Sequence, residues 1–137
     1  MHLAELYRCA RQNNIPRVRY PLPRCGSMSL PGVIGMDSRV CDGGARETVH
    51  LSHELGHCLT GSFYNRYTPY DVRRRHENRA DKWAVRSLIP APELDEAIAS
   101  GHTQMWELAE HFGVTEEFMR KAVCLHVHGN LATELYF

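Results

Sequence analysis

His53-Glu54-Leu55-Gly56-His57 sets two imidazoles four residues apart, with a carboxylate beside the first. On a helix, positions i and i+4 project from the same side, so both rings can reach one ion at ~2.0–2.1 Å. The intervening glutamate falls one residue round from His53, near an ion without ligating it, where it can take a proton from an activated water. A catalytic zinc needs a third protein ligand and an open fourth position. The continuation HExxHxxGxxH does not supply that ligand, because Thr60 and Phe63 occupy its glycine and third-histidine positions.

The next helical pattern offers a candidate. With 100° between residues, Glu77, Asp81, Ala84 and Leu88 share one face. Two carboxylates thus head a stripe that is otherwise apolar, and buried carboxylates without partners cost several kcal/mol. Glu77 is the candidate third ligand. Asp81, one turn on, is placed to accept the second ring N–H of a ligand histidine. Ordinary salt bridges to nearby arginines are the alternative reading of this pair.

These motifs require elements to position them. Over residues 46–60, Thr48, Leu51, Leu55, Cys58 and Leu59 fall on one helical face, and His50, His53 and His57 on the other. The apolar face is complete without the histidines, which are therefore free for chemistry, and Cys58 reads as a buried structural thiol. Further helices are predicted over residues 3–13, 76–89, 93–100, 105–112 and 116–126, with Gly61, Pro90, Gly101 and Gly113 as stops. Residues 15–31, with four prolines, read as extended and irregular, and Gly32–Met36 as a short strand. That strand is either a plain structural strand or an edge that holds substrate backbone. The expected class is α+β, mainly helical with a small sheet, in one domain over residues 1–137. The last residues, 127–137, show no pattern and are expected to be loose.

Composition limits the alternatives. The 137 residues hold sixteen acids and sixteen bases, with a net charge of zero. That balance lacks the footprint of a dedicated nucleic-acid binder. No stretch is long or apolar enough to span a bilayer, and the N-terminus carries charges where a leader would need an apolar run, so a cytoplasmic location is expected. The five cysteines are dispersed without a CxxC pair, which argues against disulfides or a thiolate zinc knuckle. Arg66, Arg73, Arg74, Arg75, Arg79, Lys82 and Arg86 form either a basic rim for an acidic segment or a solvated face.

HExxH followed about twenty residues later by ExxAD resembles the gluzincin arrangement. The wider string resembles the ImmA/IrrE family of small metallopeptidases. The matching pieces are Val49-His50-Leu51-Ser52 before HELGH, Glu77-Asn78-Arg79-Ala80-Asp81-Lys82-Trp83-Ala84, and Leu88-Ile89-Pro90. The resemblance spans roughly residues 3–125 and is specific over 46–92. Ser52 stands where alanine is common and Trp83 where phenylalanine is usual. The resemblance implies a zincin-like minimal peptidase domain, zinc on His53, His57 and Glu77, and Glu54 as base. It further implies a protein substrate, a helix-turn-helix repressor of a phage or mobile element. The oxyanion of peptide hydrolysis needs a further donor, for which Tyr64, Tyr67, Tyr70, His76, His126 and His128 are candidates among which the sequence does not choose.

Residues 103–125 form a helix-turn-helix-like pair around Gly113, so the rival is a DNA-binding or partner-binding regulatory protein with a non-proteolytic zinc site. Its second helix opens on Glu116 and Glu117, where a groove reader would approach phosphates. Direct nucleic-acid binding is therefore not expected.

Overall fold

The computed structural model describes residues 1–136. The chain forms α1 (Leu3–Gln12), β1 (Arg17–Arg19), β2 (Ser27–Leu30), β3 (Val33–Met36), α2 (Ala45–Thr60), α3 (Tyr70–Leu88), α4 (Ala91–Ala99), α5 (Met105–Phe112) and α6 (Glu116–His128). A short 3-10 turn, Ala132–Tyr136, follows. The class is mainly helical α+β.

The sheet has the order β1-β3-β2, with β1 parallel and β2 antiparallel to β3. Ile34 and Met36 of β3 are fully buried. They face Leu6 of α1 and Leu51 and Leu55 of α2 in one apolar core that continues through Ala84, Val85 and Leu88 of α3. Each fully buried Leu or Ile contributes roughly 1.5–3 kcal/mol. The Tyr7 hydroxyl donates to the Glu47 carboxylate and ties α1 to α2. Helix α2 is thus held between the sheet and α3, with its histidine face turned away from the apolar core.

Four expectations change. Residues 15–31 are not irregular throughout, since they hold β1 and β2. The strand at 33–36 is central, bracketed on both sides, so it cannot be an edge; β2 and β1 are the edges. Helix α3 begins at Tyr70, six residues earlier than its apolar stripe, because extended Pro69 caps it and residues 70–75 contain no helix breaker. At the C-terminus, Leu131 is buried, Thr133 donates to Asn78, and Lys82 pairs with Glu134. These contacts anchor a segment expected to be loose. Phe137 lies outside the described residues.

On β2 the side chains alternate: Met28 and Leu30 face outward and are exposed, while Ser27 and Ser29 turn toward α2. The ladder alternates as well. Leu30 faces Val33 across the Pro31-Gly32 turn, and Gly26 O accepts from Asp37 N–H at 2.8 Å. By that alternation the main chain of Ser27 and Ser29 points away from β3, toward the free edge.

Candidate metal centre

Helix α2 places His53 and His57 one turn apart, and α3 brings Glu77 to them. The approach depends on Gly56 between the two histidines. A Cβ there would lie 2.5 Å from the Ala80 carbonyl oxygen, so the helices meet backbone to backbone. Glu77 Oε2 is 2.9 Å from His53 Nε2, Glu77 Oε1 is 3.2 Å from His57 Nε2, and the two Nε2 atoms are 3.1 Å apart.

The far side of each ring is committed. His53 Nδ1 lies 2.8 Å from Asp81 Oδ1, and His57 Nδ1 lies 2.6 Å from the carbonyl oxygen of buried Ser62. A carboxylate and a carbonyl only accept, so both Nδ1 atoms donate. Neutral rings then turn bare Nε2 lone pairs toward each other and toward a carboxylate. Three lone-pair donors at this range repel unless a cation lies among them. Two imidazoles and a carboxylate, with ligand atoms within 4.8 Å of one another, are a fitting set for a divalent ion, and a catalytic zinc site uses this composition. Without an ion, a proton serves. Burial works to lower the His53 pKa, but hydrogen bonds to Asp81 and Glu77 outweigh it and raise it to about 10. Burial likewise opposes ionisation of Glu77, yet donation from His53, His57 and Tyr64 holds its carboxyl well below the ordinary range.

Glu54 is 5% exposed, and both its oxygens are engaged. Ser27 Oγ donates to Oε2 at 2.7 Å, and Ser29 Oγ donates to Oε1 at 2.9 Å. Tyr64 donates to Glu77 Oε1 at 2.6 Å; burial and that bond push its pKa up to about 12. Of the other candidate donors, His76 lies under the Tyr64 ring at 6.4 Å, and its buried Nδ1 has no partner among the described residues. Tyr67 is 78% exposed and accepts from Arg66, and Tyr70 opens α3 on the surface. His126 Nε2 donates to Ile89 O at 2.6 Å, and exposed His128 ends α6. The structure therefore gathers Tyr64 and His76 near the centre and commits His126 elsewhere.

Four contributors escaped sequence reasoning: Ser27, Ser29, Ser62 and Lys121, whose Nζ is 3.4 Å from Asp81 Oδ2. A serine in a proline-rich stretch and a main-chain carbonyl carry no compositional signal. The thiols are free, and Cys58 is only partly buried, its Sγ 3.8 Å from Leu30 O. No helix among the described residues is long and apolar enough to cross a membrane.

The profile of the Peptidase_M78 family, described as an IrrE N-terminal-like domain, matches residues 26–123. That span runs from just before Ser27 to just beyond Lys121. No curated protein and no solved structure gives a significant match.

Proposed function

The chain belongs to the Peptidase_M78 family, a metallopeptidase-type family, and on that basis we propose that it is a zinc-dependent endopeptidase with Glu54 as general base. One observation carries the reading: with both Nδ1 atoms committed, the lone pairs of His53, His57 and Glu77 converge on one point. These three residues would hold the ion. When bound, zinc would polarise a scissile carbonyl and lower the pKa of water to about 7.

Every other step belongs to the chain's own groups. Glu54 takes the proton of the attacking water and delivers it to the leaving nitrogen. Ser27 and Ser29 fix its carboxylate while leaving lone pairs for that proton, since a carboxylate offers about four acceptor sites. Tyr64 is the nearby hydroxyl best sited to meet a developing oxyanion, provided that its single proton, given to Glu77 in this structure, turns from that carboxylate to the oxyanion. Substrate backbone would pair with the free edge of β2, whose Ser27 and Ser29 main-chain groups face outward. The substrate we propose is a helix-turn-helix repressor of a phage or mobile element, cut once. The family resemblance supports it. The acting location is proposed to be the cytoplasm.

The test is a cleavage assay on the repressor encoded by the adjacent gene, with Glu54→Gln alongside. Cleavage by the wild type and a loss of about 10²–10⁴-fold in the variant is expected. Equal inertness of both, with zinc bound, would favour a non-proteolytic zinc site in a DNA-binding or partner-binding regulator. The α5–α6 pair gives that rival little support, because Arg120 pairs with Glu116 and Lys121 with Asp81.

A further inference from the structure

Beside the Ser27 end of β2, a cavity of about 280 Å³ opens between the loop at 22–26, the turn after β3 and the start of α2. Arg24, Arg39 and Arg46 line it, with His50 and Gly26 in its wall. Its single carboxylate is Asp37, whose Oδ2 accepts from Leu22 N–H at 2.7 Å and Oδ1 from Arg39 N–H at 2.9 Å. Arg39 Nε is 3.4 Å from Asp37 Oδ1, whereas Arg24 and Arg46 make no hydrogen bond or ion pair among the described residues. Three exposed arginines therefore line a space whose one acid is largely spent on the backbone. Gly26 is required there: its φ is +79°, and a Cβ would stand 2.8 Å from Val40 Cγ1 and 2.9 Å from His50 Cε1.

His50 gives the cavity chemical definition. Ser27 has one hydroxyl proton and gives it to Glu54, so at 2.7 Å its oxygen must accept from His50 Nδ1. The neutral ring then presents Nε2 as an acceptor. Burial holds the ring's pKa below the ordinary value, against the pull of Glu54, and so favours the neutral form. An occupant must thus offer negative oxygens to the arginines and a hydroxyl to His50.

We propose that this cavity binds a hydroxyl-bearing oxyanion of the phosphate class, and that its occupancy is sensed at Glu54 through His50 and Ser27. The binding site stands independently of the peptidase reading; only the significance of Glu54 rests on it.

The test uses the full chain and needs no substrate. At constant ionic strength, inorganic phosphate should raise Tm saturably, and sulfate, which carries no proton at neutral pH, should raise it less. Arg24→Ala with Arg46→Ala should abolish the effect. An equal response to chloride or sulfate, or its survival in the double variant, overturns the site. Phosphoserine serves as the esterified arm: with a second phosphate pKa of about 6 it is largely without a phosphate hydroxyl at neutral pH, so it should bind more weakly than inorganic phosphate, and tighter binding overturns the hydroxyl-bearing assignment. Phosphate should also move the His50 ring ¹⁵N and the Glu54 carboxyl ¹³C resonances. Ser27→Ala should keep the first response and remove the second. A Glu54 resonance that stays still in the wild type overturns the coupling and leaves the peptidase reading intact.

Discussion

Gly56 and Ala80 bring two helices into main-chain contact: a Cβ on Gly56 would stand 2.5 Å from the Ala80 carbonyl oxygen and 3.0 Å from its Cα. Alanine is the better helix former by about 1 kcal/mol, but overpacking a rigid backbone contact costs about 1–3 kcal/mol. Gly56→Ala should therefore destabilise the protein on balance in urea unfolding. It should also weaken metal binding, because α3 must retreat and Glu77 moves with it.

Glu77→Ala removes a ligand, and metal analysis of the purified variant should find most of the ion gone. Unchanged metal content would remove Glu77 from the ligand set. Asp81→Asn keeps the size but loses the charge beside His53 Nδ1. Losses of this kind cost roughly 10–100-fold in metal affinity, readable by competition with a chromophoric chelator.

Ser27→Ala together with Ser29→Ala should leave metal content unchanged and lower kcat about tenfold or more. That factor corresponds to about 1.4 kcal/mol of lost orientation at Glu54. A double variant with wild-type kcat would show that Glu54 is oriented by something else.

Asp37, away from the metal centre, should contribute to the acid sensitivity of the fold. The backbone N–H groups of Arg39 and Leu22 hold its carboxyl below the ordinary value of 3.8. A carboxyl depressed on folding stabilises the fold above its unfolded value and loses that contribution as pH falls through the folded one. Asp37→Asn should thus be less stable than the wild type at pH 7. In urea midpoints measured against pH, the gap should narrow as pH falls below 3.8.

Removing the metal with a chelator should lower Tm. An ion present at a hundred times its Kd stabilises the native state by about 2.7 kcal/mol. The drop should be reversed by restoring zinc and absent in Glu77→Ala.

Much of the centre could be read in advance because its parts obey helical periodicity. His53 and His57 stand at i and i+4 opposite Leu51 and Leu55, and Glu77 and Asp81 repeat that spacing on α3. The strands were harder. β1 (Arg-Val-Arg) and β2 (Ser-Met-Ser-Leu) alternate over only three and four residues, too short a run to stand out among the surrounding prolines. Only β3 had an apolar run, which reflects its central place and made it a misleading candidate for an edge. Ser27 and Ser29 gain meaning only when β2 is folded against α2. The start of α3 was obscured because Val72 is the only apolar residue among the arginines that follow Asp71.

The carbonyl of Ser62 has one more consequence. His53 is steadied by a side chain, Asp81, which a single nucleotide change can erase. His57 is steadied by a main-chain atom at 2.6 Å, which every residue at position 62 would supply as long as the chain keeps its course. The two ligands therefore differ in heritable fragility. Drift can loosen His53 in one step, whereas loosening His57 requires rebuilding the turn that follows α2.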